Sequence, residues 1–101
     1  MKIDLIIDRC NDENIEITGH ALLRMQQRGI LYRDIKMALS SGEIIEEYPD
    51  DYPYPSCLVL GYTNENKGLH VVVGLSESKL WIITAYHPDL EEWCSDLKKR
   101  K

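Results

Sequence analysis

Four runs in the second half of the chain, EIIEEY (43–48), SCLVLGY (56–62), LHVVVG (69–74) and LWIITAY (80–86), are crowded with β-branched and aromatic residues. Such residues suit the pleated, half-buried surface of a sheet better than a helix. The stretches between them, PDDYPYP, TNENKG and LSESK, carry the Pro, Gly, Asn, Asp and Ser that turns require. Connections this short join neighbouring antiparallel strands, so the simplest arrangement is a four-stranded antiparallel meander.

The first half has a different period. Thr18 is placed as an N-cap for a helix over GHALLRMQQR, and Gly29 follows as its C-terminal cap. On that helix Leu22, Met25 and Gly29 fall on one side, with His20, Arg24 and Arg28 roughly opposite at about 100° per residue. A second helix is expected from Tyr32 to Ser40, with Tyr32, Ile35, Ala38 and Leu39 inward and Gly42 as a left-handed cap. Ile3, Ile6, Ile7 and Cys10 suggest a short leading helix, although Ile3, Leu5 and Ile7 also alternate as a strand would, and IEIT then runs in extended form into Thr18. After Tyr86, Pro88 precedes acids and the chain ends in cations from Lys98 to Lys101, the order that complements a helix dipole. Leu90, Trp93 and Leu97 would give that closing helix an apolar stripe. The expected fold is α+β: N-terminal helices, a four-stranded antiparallel sheet and a C-terminal helix, in a single domain over residues 1–101.

A hydrophobic fraction of 44% and a charged fraction of 29% fit a folded globular chain. The apolar runs are far short of the roughly 20 residues that cross a bilayer. Acidic residues interrupt MKIDLIIDRC, which suits a signal peptide poorly, so a cytoplasmic location is expected. Cys10, Cys57 and Cys94 are odd in number and lack a CxxC pair, which fits neither a disulfide framework nor a zinc site. His20, His70 and His87 are spaced too widely to form a metal motif, so no metal and no cofactor are expected.

A net charge of -5 opposes a protein whose whole surface attracts nucleic acid. The charge is segregated, however. Arg24, Arg28, Arg33 and Lys36 face only Asp34 between residues 18 and 37, whereas Glu43, Glu46, Glu47, Asp50 and Asp51 follow without a base. On the first helix a neutral His20 beside two permanent cations can accept a proton and hold a phosphate nearby. The same residues also make an ordinary solvated helix face, and the sequence leaves both readings open.

ITGHALLRMQQRGI, DIKMAL, GEIIEEYPDDYPYPSCLVLGY, LHVVV and IITAYHPDLEEW together resemble a small bacterial family classed as a domain of unknown function. Its markers are the His-Ala-x-x-Arg-Met-x-x-Arg-Gly-Ile helix, Pro-Tyr-Pro-Ser before a strand, the Leu-His strand and the Thr-Ala-Tyr-x-Pro-Asp exit. Members of that family resemble the RelE, MqsR and BrnT toxins and are often encoded beside a zinc-finger antitoxin of the YgiT type. The resemblance implies a RelE-like helix-then-sheet fold and metal-independent endoribonuclease action on mRNA. It makes RNA and a cognate zinc-finger antitoxin the expected partners of a toxin in a bacterial type II toxin-antitoxin pair.

Cleaving RNA without a metal needs a base for the 2′-hydroxyl, an acid for the departing 5′-oxygen and cations for the charged transition state. His20 is a candidate base or acid, with Arg24 and Arg28 as the clamp. His70 alternates with Val72 and Gly74, away from Leu69, Val71 and Val73, so it can lie on the face opposite that apolar set. Tyr86 can stack a base or supply a phenol. A structural, hydrogen-bonded His70 and an anchoring Tyr86 are the alternatives. The rival function is a non-enzymatic acidic protein-binding module, in which Glu43 to Asp51 and the YPDDYPYP loop, with Tyr52 and Tyr54, meet a basic partner.

Overall fold

The computed structural model describes residues 1–101. Three helices and five strands follow one another as α1 (Ile3–Asp8), β1 (Ile15–Ile17), α2 (Gly19–Arg28), α3 (Tyr32–Ser40), β2 (Glu43–Tyr48), β3 (Ser56–Tyr62), β4 (Gly68–Leu75) and β5 (Leu80–Tyr86).

Local chemistry sets the helix ends. The Thr18 hydroxyl accepts the Ala21 amide at 3.0 Å, and Gly29 ends α2 in the left-handed region at φ 66°. The Leu31 amide donates to the Asp34 carboxylate at 2.9 Å, satisfying an otherwise free donor at the start of α3. Gly42 is not the left-handed cap expected there. It is glycine because a Cβ would lie 2.6 Å from the Ala38 carbonyl oxygen and from Val59.

The sheet has five strands in the order β1-β5-β4-β3-β2. Strands β2 to β5 form the antiparallel meander, but β1 lies parallel to β5, pairing Ile15 with Leu80 and Ile17 with Ile82. The expected four-stranded antiparallel sheet is therefore a five-stranded mixed one. Three residues are too few to show alternation, and the pairing that defines β1 comes from the far end of the chain. Its ends are fixed by Leu80 N–H to Asn14 O at 2.9 Å and Thr18 N–H to Ile82 O at 3.2 Å.

The expected C-terminal helix does not form. The Asp89 carbonyl accepts from Glu92 and Trp93, its carboxylate accepts from Glu91, and the chain then reverses. Leu97 sits at φ 63°, the Asp96 carboxylate takes the Lys98 amide, and Trp93 bridges to Arg100. Asp side chains that capture nearby amides compete with helix propagation. The tail is instead a turn-rich strap across the sheet.

All three helices pack on one sheet face. Ile35, Ala38 and Leu39 of α3 and Ala21 and Met25 of α2 close over Cys57, Val59, Leu69, Val71, Val73, Leu80, Ile82 and Ala85. A fully buried Leu, Ile or Val contributes about 1.5–3 kcal/mol relative to exposure. The opposite face carries Leu58, Leu60, His70 and Tyr86, and the strap covers it with Trp93. A bulge in β5 decides this last placement. Val72 pairs with Thr84 but Val73 with Ile82, leaving Ile83 as an extra residue. The inward residues thus shift from Leu80 and Ile82 to Ala85, and Tyr86 turns onto the His70 face, directly across from it.

Candidate functional site

Helix α2 lies along β5, and both end at the same edge of the molecule. The last helical residue, Arg28, donates from Nη1 to the Ala85 carbonyl at 2.8 Å. That bond pins the guanidinium beside Tyr86. Arg28 reaches β5 because the buried side of α2 is centred on Ala21 and Met25, not on Leu22, which with Leu23 is half exposed. At about 100° per residue Arg28 then falls about 20° from Ala21 and about 60° from Met25, on the sheet side of the final turn.

His70 has no exposed surface. One ring nitrogen, Nε2, lies 2.8 Å from the Leu97 carbonyl, and the other, Nδ1, lies 3.2 Å from the Tyr86 hydroxyl. A carbonyl only accepts, so Nε2 carries the proton. Burial pushes the His70 pKa below its ordinary value, which keeps the ring neutral at pH 7. Neutral Nδ1 then has a lone pair, and the Tyr86 hydroxyl donates to it. Burial also raises the Tyr86 pKa, so the phenol holds its proton. Trp93 packs edge-on against the same imidazole at 4.4 Å.

Above this pair opens a cleft of about 490 Å³ lined by Arg28, Tyr86, His87, Asp89, Glu92 and Trp93. His87 donates from Nδ1 to the Gly68 carbonyl at 2.9 Å, which fixes its ring on the rim. Asp89 and Glu92 come from the turn that replaces the expected helix. The cleft therefore combines one guanidinium, two carboxylates, a phenol and an imidazole, all within reach of one small ligand.

Of the five residues expected in a site, the fold brings together Arg28, His70 and Tyr86. His20 is exposed in the first turn of α2, about 12 Å along the helix axis from Arg28. Arg24 is half-buried and donates to the Gln27 side chain at 3.0 Å. Neither lines the cleft. His87, Asp89 and Glu92 also line the cleft, and no spacing in the sequence points to them as a site. Their one signal is the His-Pro-Asp segment after Tyr86, whose composition equally suits a helix start. No three His, Cys, Asp or Glu side chains are placed to hold a metal ion. Burial raises the thiol of Cys57 to about 12, which leaves it protonated.

A second cleft, about 300 Å³, lies at the other end of the helix-free face, lined by Thr18, Tyr52, Pro53, Tyr54, Trp81 and Ile83. Tyr54 stacks on Trp81 with centroids 6.2 Å apart. Tyr52 is 91% exposed beside Asp50 and Asp51. No helix in the chain is long and apolar enough to cross a membrane.

Helices on one face of a mixed sheet, with a polar cleft at the end of strand β5, define a small α+β protein with a surface site. The profile of the family described as Domain of unknown function (DUF4258) matches residues 17–87, from the end of β1 to just past β5. The chain belongs to that family. The match contains Arg28, His70, Tyr86 and His87 and stops short of the strap. No curated protein and no solved structure matches the chain.

Proposed function

We propose that this protein is a toxin of a bacterial toxin-antitoxin pair, acting as a metal-independent endoribonuclease on mRNA. The observation that carries the reading is the meeting of Arg28 with Tyr86 in one open cleft, with the buried His70 hydrogen-bonded to the Tyr86 hydroxyl from behind. The resemblance of the family marked by the His-Ala-x-x-Arg-Met-x-x-Arg-Gly-Ile helix to the RelE, MqsR and BrnT toxins supports it. On this reading a zinc-finger antitoxin is the natural protein partner.

The chemistry follows from the hydrogen bonds. His70 cannot touch RNA, but Tyr86 can act for it. The phenol oxygen accepts the proton of a 2′-hydroxyl while its own proton passes to His70 Nδ1. The O2′–P bond forms, the P–O5′ bond breaks, and a 2′,3′-cyclic phosphate results. Arg28, held by its bond to the Ala85 carbonyl, is a fixed cation for the charged phosphoryl oxygens. His87 in its imidazolium form supplies the proton that leaves with the 5′-oxygen. Glu46 favours the imidazolium that forms, and the Arg100 guanidinium paired with it opposes that charge.

Incubation of a mixed RNA pool with the protein in EDTA tests the reading. Cyclic-phosphate ends are expected, with Arg28→Ala and Tyr86→Phe each slower by about 10²–10⁴ and His20→Ala close to wild type. Intact RNA with folded protein overturns it.

A second reading is a protein-binding module, favoured by the exposure of Tyr52 over an aromatic cleft with acids beside it. In that case Tyr52→Ala abolishes capture of a basic partner and Arg28→Ala is silent.

A further inference from the structure

The two carboxylates are the unexpected part of the cleft. A site that only held phosphate would have no use for Asp89 and Glu92, because each repels the ligand that Arg28 attracts. Asp89 is partly explained by the turn, since its carboxylate accepts the Glu91 amide at 2.9 Å. Glu92 is not. Its carboxylate makes no hydrogen bond and no ion pair within the protein, although its backbone is fixed by Asp89 on one side and Lys101 on the other. It stands close enough to Tyr86 to help hold the phenol protonated.

A free carboxylate beside an aromatic ring and an arginine suits a base with adjacent donors. Unstacked RNA bases are recognised by stacking on aromatic rings and by hydrogen bonds on the Watson–Crick edge. Of the four bases only guanine presents two neighbouring N–H donors on that edge, N1–H and the N2 amino group. They match the two oxygens of an ionised carboxylate, which only accepts. Adenine and cytosine each set an acceptor beside their single amino group, and uracil flanks its one donor with carbonyls. Those lone pairs would face the negative charge of Glu92.

We infer that Glu92 makes this cleft specific for guanine, with the base against Tyr86 and its neighbouring phosphate on Arg28. This rests on the cleft being an RNA site. The ligand is a guanine nucleotide within single-stranded RNA.

The test is equilibrium binding of guanosine, adenosine, cytidine and uridine 3′-monophosphates, followed by chemical shifts of the Trp93 indole and Tyr86. The wild type is expected to bind the guanine nucleotide at least about tenfold more tightly than the other three, the step worth about 1.4 kcal/mol. Glu92→Gln replaces one acceptor by a donor. It should bring the guanine nucleotide level with the others and leave those unchanged, and circular dichroism should show the fold intact. Arg28→Ala should weaken all four alike. Equal binding of all four nucleotides with Arg28 dependence kept overturns the guanine assignment and leaves the RNA reading standing. Binding of none of them overturns both.

Discussion

The indole of Trp93 stands edge-on to the imidazole of His70, with centroids 4.4 Å apart and planes at 86°. Through this contact the strap seals the residue behind Tyr86 from water. Trp93 is almost fully buried, so Trp93→Ala leaves both a cavity and a wetted His70. A loss of about 3–5 kcal/mol is expected, read from the urea midpoint. The His70 pKa should also rise toward its ordinary value in an NMR titration, and an unmoved His70 would mean that the strap is not what dries the ring.

Burial holds the His70 pKa below 6.5 in the folded protein. Between that depressed value and 6.5 the unfolded chain binds more protons than the folded one, so stability rises with pH through this window. It is fully present above 6.5 and declines on acidification. Melting temperature should fall between about pH 7.5 and about pH 5.5, and His70→Gln should flatten that slope. Glu46 does not interfere, because its hydrogen bond from Arg100 lowers its pKa below 4.5, outside the window. Equal slopes in the two proteins would remove His70 as the source.

Two glycines should respond in opposite directions. A Cβ on Gly61 of β3 would collide with the Ala38 backbone of α3, whereas a Cβ on Gly19 meets nothing within 4 Å. Backbone cannot swing aside as a side chain does. Gly61→Ala is expected to cost at least the upper end of about 1–3 kcal/mol. Gly19→Ala, in the first turn of α2, should gain about 0.4–1 kcal/mol. Calorimetry of the two single variants checks both signs.

Thr18 caps α2 with its hydroxyl and ties the helix start to Ile82 through its amide. Only the first bond is lost in Thr18→Ala, at a cost of about 1 kcal/mol. Thr18→Ser keeps the oxygen and should recover most of that loss in chemical denaturation. If serine fails to recover it, the threonine methyl at the edge of the aromatic cleft matters more than the cap.

Strands β2 to β5 could be read from the sequence because each has enough β-branched and aromatic residues to show its period, and each is bounded by turn residues. Three residues of β1 could not show theirs. The tail misled because its charge order suits a helix dipole, while what decides its path is Trp93 meeting His70 and Arg100 meeting Glu46 across the sheet. For the site, spacing by four put His20, Arg24 and Arg28 on a stripe opposite Met25, whereas Arg28 lies on the sheet side. Such a stripe spreads along the axis, and only its last member reaches the end of β5. The face of Tyr86 was hidden as well, since one extra residue at Ile83 reverses the alternation.

The placement of β5 between β1 and β4 also governs the order in which the molecule can be built. Each turn of the meander joins neighbours, so β2, β3 and β4 can pair with one another before β5 docks. Ile15 must wait for Leu80, and Ala21 and Met25 have no strand to lie on until β5 is made. Closing so long a loop costs little more in free energy than closing one half its length, about 0.6 kcal/mol, but non-local pairing slows folding. The segment from Ile15 to Arg28 therefore precedes the meander in sequence but docks after it, and the cleft exists only once β5 and the strap that follows it are in place.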